Sequence, residues 1–260
     1  VNGVAVSIVS HGHGSQLLPL LQRIAREGSR VRRVWLTFDI PDPQWQSALC
    51  SQIWPFDLRL RNNSQSRSFA ENHNQAFRAE QHLGESIPDY WWVLNPDVTW
   101  NDLILEKLIP YMTPSDVGLV CPRQLDLIGN EQDFARELPT PTRIFYRILC
   151  RLMGRGGRPH KTPDWVNGAC MLVRGSAYDA IGGFDEKYRL YVEDVDFCLR
   201  LQLAGYSIGV ASDVIVQHVG QRRSRYSLRH AVWHISGLCR LWRSEVYRQY
   251  QSRRRHKWSI

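Results

Sequence analysis

The stretch VAVSIVSHGHGSQLLPLLQRIA, residues 4–25, sets the fold. Its first seven residues are small or β-branched and carry no charge. Such a run, stopped by turn residues, reads as a buried strand from Val4 to Ser10. His11-Gly12-His13-Gly14 supply the turn, and Leu17, Leu18, Leu20, Leu21 and Ile24 then recur at helical spacing. A buried strand leading into an amphipathic helix begins an α/β layer arrangement.

The alternation continues outward from there. VRRVWLTF, Val31 to Phe38, reads as a second strand, and Asp57 to Arg61 as a short third. Phe69 to Leu83 has helical character. YWWVL, Tyr90 to Leu94, reads as a buried strand that stops at Asn95-Pro96, because proline cannot extend the ladder. Leu103 to Met112 reads as helix and Val117 to Pro122 as strand. This order predicts a mostly parallel sheet with helices on both faces. Ligands of such sheets bind outside the carboxyl ends of the strands. The loops after Ser10, Phe38, Leu94 and Pro122 are therefore the ones to inspect.

From about Asp126 to Asp164 the rhythm breaks, with one helix expected over Thr142 to Met153. WVNGACMLVR, Trp165 to Arg174, reads as one strand. Gly175 to Ile181 reads as a short helix closed by Gly182-Gly183, and Asp194 to Ala204 as a helix ended by Gly205. Ser207 to Val210 and Val214 to Gln217 read as two short strands leading to His218.

The 260 residues, 43% of them hydrophobic, suffice for one large α/β domain. The six cysteines are scattered without a CxxC pair, which speaks against a zinc site or a disulfide framework and suits reduced thiols in a cytoplasm. Neither a signal peptide nor an apolar run of bilayer length is legible. The chain opens at Val1, consistent with loss of an initiator Met or a short leader.

The formal charge of +8 is unevenly placed: from His218 onward there are eleven Arg or Lys against the single acid Glu245. A basic tail on a near-neutral body points to an anionic partner, phospholipid or nucleic acid. Nucleic acid would need a basic groove with stacking aromatics, and the strand-helix body offers neither, so none is expected. Between Tyr226 and Tyr250, Leu228, Val232, Trp233, Ile235, Leu238, Leu241, Trp242 and Val246 outline an amphipathic helix. It either lies on an anionic membrane or packs its apolar face on the domain.

Four stretches carry chemistry. In WWVLNPDVTW, Asp97 appears directly after a buried strand, where a carboxylate can hold Mg²⁺ or Mn²⁺ against phosphate oxygens. Asn-Pro-Asp is equally good turn chemistry. In SFAENHNQAF, Asn72, His73 and Asn74 sit near a helix start, where they either bind a nucleotide or cap the helix. In YRLYVEDVDFCLRL, Glu193, Asp194 and Asp196 crowd a helix N-terminus, whose dipole favours negative charge for purely structural reasons as well. In HVGQRRSRYS, His218 is a competent metal ligand, and Arg222 and Arg223 offer phosphate-binding forks, unless the loop is merely solvated.

Taken in order, NPD after a central strand, NGACMLVR, GGFDEKYRLYVEDVDFCLRLQLAG and then His218 resemble the family 2 glycosyltransferases, in particular the rhamnosyltransferase-like branch that builds bacterial surface polysaccharides. The resemblance runs from Ser7 to about Arg240 and is most specific from Val166 to Gly205. It implies a GT-A fold: a single catalytic domain over 1–220, with a nucleotide-sugar half (1–122) and an acceptor half (123–220), followed by a basic helical extension over 221–260. It implies an inverting, metal-dependent transfer in which Asp97 and His218 hold the metal and Asp194 is the base. Glu193, Asp196, Asn167 and Gly168 would support the base or the acceptor. Ser10, His11, Asp39, Asn72, Asn74, Asn95, Arg222 and Arg223 would contact the donor.

By resemblance the preferred donor is dTDP-rhamnose, and the acceptor is a glycan or lipid-linked intermediate of O-antigen or surface-polysaccharide synthesis, reached from the inner face of the plasma membrane. A UDP- or GDP-hexose donor, or an inactive sugar-nucleotide-binding protein, are the alternatives. Two departures stand out. The second strand ends TFDIPD, without the family's Asp-Asn pair, so Asp39 must serve or the base contact differs. The stretch Ser66 to Glu71 lacks the family's glycines.

Overall fold

The computed structural model describes residues 3–83, 86–153, 163–220 and 228–257. Ten strands and nine α-helices are found among them: β1 (Val4–Ser10), α1 (Gly14–Arg26), β2 (Val31–Phe38), α2 (Pro43–Cys50), β3 (Asp57–Asn62), α3 (Phe69–Gln81), β4 (Tyr90–Leu94), β5 (Val98–Thr99), α4 (Ile104–Leu108), β6 (Val117–Leu125), β7 (Ala135–Arg136), α5 (Pro141–Leu152), β8 (Trp165–Val166), β9 (Cys170–Arg174), α6 (Gly175–Ala180), α7 (Glu193–Leu203), β10 (Ser207–His218), α8 (Leu228–Arg243) and α9 (Glu245–Lys257).

Eight strands form one sheet in the order β3-β2-β1-β4-β9-β6-β10-β5, and β7 pairs with β8 in a small ribbon. The first four strands are parallel, as are β6 and β10. β9 runs antiparallel between β4 and β6, and β5 is an antiparallel edge on β10.

Side chains alternate across the pleat, so each central strand feeds two cores. Val4, Val6, Ile8, Trp92 and Leu94 meet the leucines of α1 and Ile104, Leu105 and Leu108 of α4 on one face. Ala5, Trp91 and Val93 meet Phe77 of α3, Tyr178 of α6 and Phe197 of α7 on the other. Both faces are covered, and that is why β1 is buried throughout its length.

The structure corrects three expected elements. The single strand over Trp165–Arg174 is two, β8 and β9, separated at Asn167-Gly168-Ala169. The two strands over 207–217 are one, β10, whose register slips between Ala211 and Ile215, so the chain bends without leaving the sheet. The single amphipathic tail helix is a pair, α8 and α9, broken at Ser244. Leu238, Leu241, Tyr247 and Tyr250 join the core of α7, so the tail packs on the domain by its apolar side. The elements α2, β5 and β7 were not anticipated.

Candidate active site

The carboxyl ends of β1, β2 and β3 converge on Asp39. The Asp39 N–H donates to the Ser10 carbonyl, which fixes the acid beside the first loop. Its buried carboxylate accepts from Asn63 Nδ2 (2.8 Å), Ser66 Oγ (2.5 Å), the Arg67 N–H (2.7 Å) and Asn72 Nδ2 (3.0 Å). His11 Nδ1 lies 2.9 Å from its other side. Burial pushes the Asp39 carboxyl up, but these donors outweigh it and hold it below its ordinary range.

The glycine-free stretch before α3 therefore wraps the acid with a serine hydroxyl and a backbone N–H. Helix capping falls to Ser68 and Glu71, which form a reciprocal capping box. That frees Asn72 for the Asp39 network, where its Oδ1 also accepts from Asn63.

Asn74 points elsewhere. Its amide donates to the Phe184 carbonyl and to Glu186, and accepts from the Tyr178 hydroxyl and the Phe184 N–H. Three of these bonds fasten the 183–186 loop and the fourth ties the amide to α6, so its hydrogen-bonding capacity is spent inside the fold. His73 is also internal: its Nδ1 meets Ser7 Oγ at 2.7 Å, and burial lowers its pKa to about 3.

After β4 the Asn95 N–H donates to the Ala169 carbonyl. Asp97 follows, and β5 pairs with the end of β10, setting Val98 opposite His218. Asp97 Oδ1 and His218 Nε2 stand 3.4 Å apart, and the Gly220 N–H donates to Asp97 Oδ2. Burial raises the Asp97 carboxyl, while His218 as donor and charge, and more distantly His13, bring it below its usual value. The loop of His11 and His13 thus borders Asp39 and lies within electrostatic reach of Asp97, in the crevice outside the strand ends.

The residues present fit a divalent cation. Gln132 Nε2 donates to the His218 carbonyl at 2.6 Å, so its Oε1 faces His218 Nδ1 at 3.1 Å. With Nδ1 donating to that oxygen, Nε2 is the ring nitrogen facing the Asp97 carboxylate, where it acts as a donor to the acid or, once its hydrogen is displaced, joins it as a metal ligand. Two acceptors so placed are satisfied by a cation between them. No group of three or more His, Cys, Asp or Glu gathers around a metal position among the described residues. Two protein ligands plus phosphate oxygens and water is the arrangement such cations commonly take.

The break between β8 and β9 joins this crevice to the acidic helix. Asn167 exchanges two hydrogen bonds with Gln124, and its N–H donates to the Phe134 carbonyl. Ala169 holds Asn95 on one side, while Gly168 approaches Asp194 on the other. Burial raises the Asp194 carboxyl to about 6, against the N–H of Val195, the Arg136 guanidinium and the N–H of Gly168. Glu193 is driven well above the usual range by burial and then by the Asp194 charge, and its Oε2 has no partner. The neutral form of Glu193 is the favoured one, and Asp194 is the acid able to exchange a proton near neutrality.

Asp196 occupies the opposite side of α7. Its Oδ2 accepts from Arg200 Nε at 2.6 Å, and Arg200 also clamps the carbonyls of Ile181 and Gly183. The chain enters α7 through Tyr191 and Val192, at φ of 70° and 73°, a conformation costly for a β-branched residue and concentrated at functional sites.

Arg222 and Arg223 lie outside the described residues. Sequence reasoning missed Asn63, Ser66 and Gln132, and also Arg136, which faces Asp194, and His230 and His234 of α8. Tyr191 contacts both histidines of α8, its hydroxyl 2.9 Å from His230 Nδ1. Arg136 faces both His234 and Asp194.

The mixed, mostly parallel sheet with helices on both faces has the GT-A architecture of its structural neighbours. A mannosyltransferase from Pyrobaculum calidifontis, solved with GDP-Man and Mn²⁺, superposes with a TM-score of 0.62 over 91% of this chain and 64% of its own, at 17% identity. Residues 97–260 match the model of glycosyl transferase family group 2, and the chain belongs to that family. An N-acetylglucosaminyl-diphospho-decaprenol L-rhamnosyltransferase of Mycobacterium tuberculosis is 31% identical over 166 residues, 58% of this chain and 54% of that protein. The rhamnosyltransferase WbbL of Escherichia coli K12 is 24% identical across 91% of each chain. The chain spans about half the length of the mycobacterial relative it matches.

Proposed function

We propose that this chain is a metal-dependent, inverting glycosyltransferase that moves a sugar, with L-rhamnose from dTDP-rhamnose the preferred donor, onto a lipid-linked glycan acceptor during surface-polysaccharide synthesis. One observation carries the reading: the break between β8 and β9 serves both acids, its Ala169 carbonyl accepting from Asn95, two residues before Asp97, and its Gly168 N–H reaching Asp194. The rhamnosyltransferase relatives support the donor and acceptor classes.

In this reading Asp39, His11 and Asn72 bind the nucleoside, with Ser10 holding the loop. Asp97 and His218 hold a divalent cation, which when bound supplies positive charge to the departing diphosphate. Asn95 positions the Asp97 loop, and Asn167 and Gly168 shape the floor between the two crevices. Arg222 and Arg223 remain candidates for the diphosphate. Asp194 takes the proton from the acceptor hydroxyl as it attacks the anomeric carbon. Its raised pKa suits a base working near neutrality. Glu193, neutral beside it, leaves the negative charge on Asp194. Asp196 acts at a distance by fixing α7 through Arg200. Base and leaving-group clamp on opposite sides of the sugar give in-line displacement with inversion.

No helix among the described residues is long and apolar enough to cross a membrane. Work at the inner membrane surface follows from the acceptor class and the basic tail. A thermal-shift screen of dTDP-, UDP- and GDP-sugars with and without Mn²⁺ tests the donor, because a ligand of the folded form raises its melting point. The reading predicts a Mn²⁺-dependent rise largest with dTDP-rhamnose. A rise with no sugar nucleotide would overturn it.

A further inference from the structure

A cavity of about 550 Å³ lies between the 185–188 stretch and α8. Lys187, Arg240 and Arg243 line it together with the hydroxyls of Ser236 and Ser244. No ion pair closer than 4 Å engages these three cations among the described residues; Arg240 faces the Tyr188 ring, 5.8 Å from its centroid, and feels the Asp196 charge from further off. Asp185 is the one acid in the lining, and nearby Asp196 is already engaged by Arg200. The Ser244 hydroxyl donates to the Leu241 carbonyl, which leaves Ser236 as the hydroxyl donor. A concave site whose lining has two more cations than acids, with that hydroxyl beside them, has the chemistry of a phosphate-monoester or phosphodiester receptor.

The same helix carries an apolar track that leads into this cavity. Leu228, Val232 and Ile235 follow one another at four- and three-residue spacing and are 89%, 62% and 60% exposed. Continuing the spacing reaches Cys239, which lines the cavity. The opposite face of α8, with Gly237, Leu238 and Leu241, is the one buried. Gly237 backs directly on the left-handed pair, since a Cβ there would lie 3.0 Å from the Tyr191 carbonyl oxygen. The outward face of α8 is thus held by the loop that precedes the acidic helix. α8 has three arginines and no acid.

We propose that the outward face of α8 docks on an anionic bilayer, with Leu228, Val232 and Ile235 entering the headgroup-acyl boundary and a lipid phosphate seated among Lys187, Arg240 and Arg243. This rests on the membrane-surface part of the proposed function and gives it an address. An apolar strip flanked by arginine is what interfacial helices use, and basic residues near an anionic surface add to the affinity.

Co-sedimentation of the full chain with vesicles tests this, using 30:70 phosphatidylglycerol:phosphatidylcholine against phosphatidylcholine alone. The chain is expected to pellet with the anionic vesicles and to be released as salt rises. Arg240→Ala with Arg243→Ala, and separately Val232→Ser with Ile235→Ser, are each expected to weaken binding at least about tenfold. Lys187→Ala, at an exposed loop position, is the further variant should the double arginine change unfold the chain. Equal pelleting with neutral vesicles, or variants that fold and bind like the parent chain, would overturn the proposal. The Mn²⁺-dependent thermal shift by sugar nucleotide is expected to persist in all of these variants. Its loss from the parent chain instead would count against the transferase reading and leave the docking surface standing.

Discussion

Asp97 and His218 face each other across 3.4 Å because the two-residue strand β5 pairs with the last residues of β10. Gln132 fixes His218 from behind, its Nε2 donating to the His218 backbone carbonyl and its Oε1 facing the ring Nδ1. Asp97→Asn and His218→Ala are each expected to abolish Mn²⁺-dependent nucleotide binding. Gln132→Ala, which touches neither ligand atom, is expected to weaken Mn²⁺ affinity by about 10- to 100-fold. Titration of the Mn²⁺ spin signal in the presence of nucleoside diphosphate measures this. Unchanged affinity in Gln132→Ala would remove the argument that Nε2 offers its lone pair to the metal.

The Asp194 carboxyl is raised to about 6. A base must be ionised to accept a proton, so kcat/KM is expected to climb with pH up to about 6 and to level off above it. Donor affinity over the same range should show no matching step, since Asp194 lies away from Asp39 and Asp97. Parallel pH profiles of transfer and of donor binding check both halves.

Glu193 makes a stability prediction of definite sign. Its carboxyl is raised in the folded chain, so the native state retains a proton that the unfolded chain has already lost. Stability from this group is therefore full below the unfolded carboxylate range and declines as pH rises above it. Glu193→Gln resembles the protonated form and is expected to reduce that decline. Urea midpoints at pH 5 and pH 8 should lie closer together in the variant than in the parent chain.

His73 acts in the opposite sense. Its pKa is depressed to about 3, so its neutral form stabilises the fold above about pH 6.5. That contribution is lost as pH falls from there towards 3, where the unfolded chain binds a proton the native chain refuses. Replacing His73 with Gln should flatten the acid side of the stability curve, read as urea midpoint against pH.

The loop that carries Gly182-Gly183 depends on Asn74. Gly183 sits at φ of +71°, and a Cβ there would come within 2.3 Å of Asn74 Oδ1. Gly183→Ala is expected to cost at least about 2 kcal/mol, from backbone strain and loss of that hydrogen-bond set. Asn74→Ala, which strands the buried Phe184 N–H and Tyr178 hydroxyl, should cost a similar amount. Chemical denaturation measures both.

Strand β1 was legible to the residue, because an uncharged run of small and β-branched residues stands between turn signals at both ends. The acids Asp97 and Asp194 were legible because each follows a structural boundary that sequence marks plainly. Their surroundings were not. Asn63 and Ser66 reach Asp39 only because the sheet order sets β3 beside β2, and no local pattern encodes that order. Arg136 sits in an irregular stretch and meets Asp194 through the two-residue ribbon β7-β8. Asn72 and Asn74 share a dipeptide neighbourhood but face different structures, since two helical positions turn the side chain through roughly 200°. The same turn puts Asp196 behind Asp194. Helix α2 escaped notice because PQWQSALC is too short and too mixed to show a period, and the slip in β10 made one strand look like two.

The most direct test is single-turnover sugar transfer by Asp194→Asn with donor and Mn²⁺ prebound, using a diphosphate-linked prenyl glycan as acceptor. The account predicts donor binding within about twofold of the parent chain and transfer slowed by roughly 10² to 10⁴. Transfer at the parent rate would contradict it.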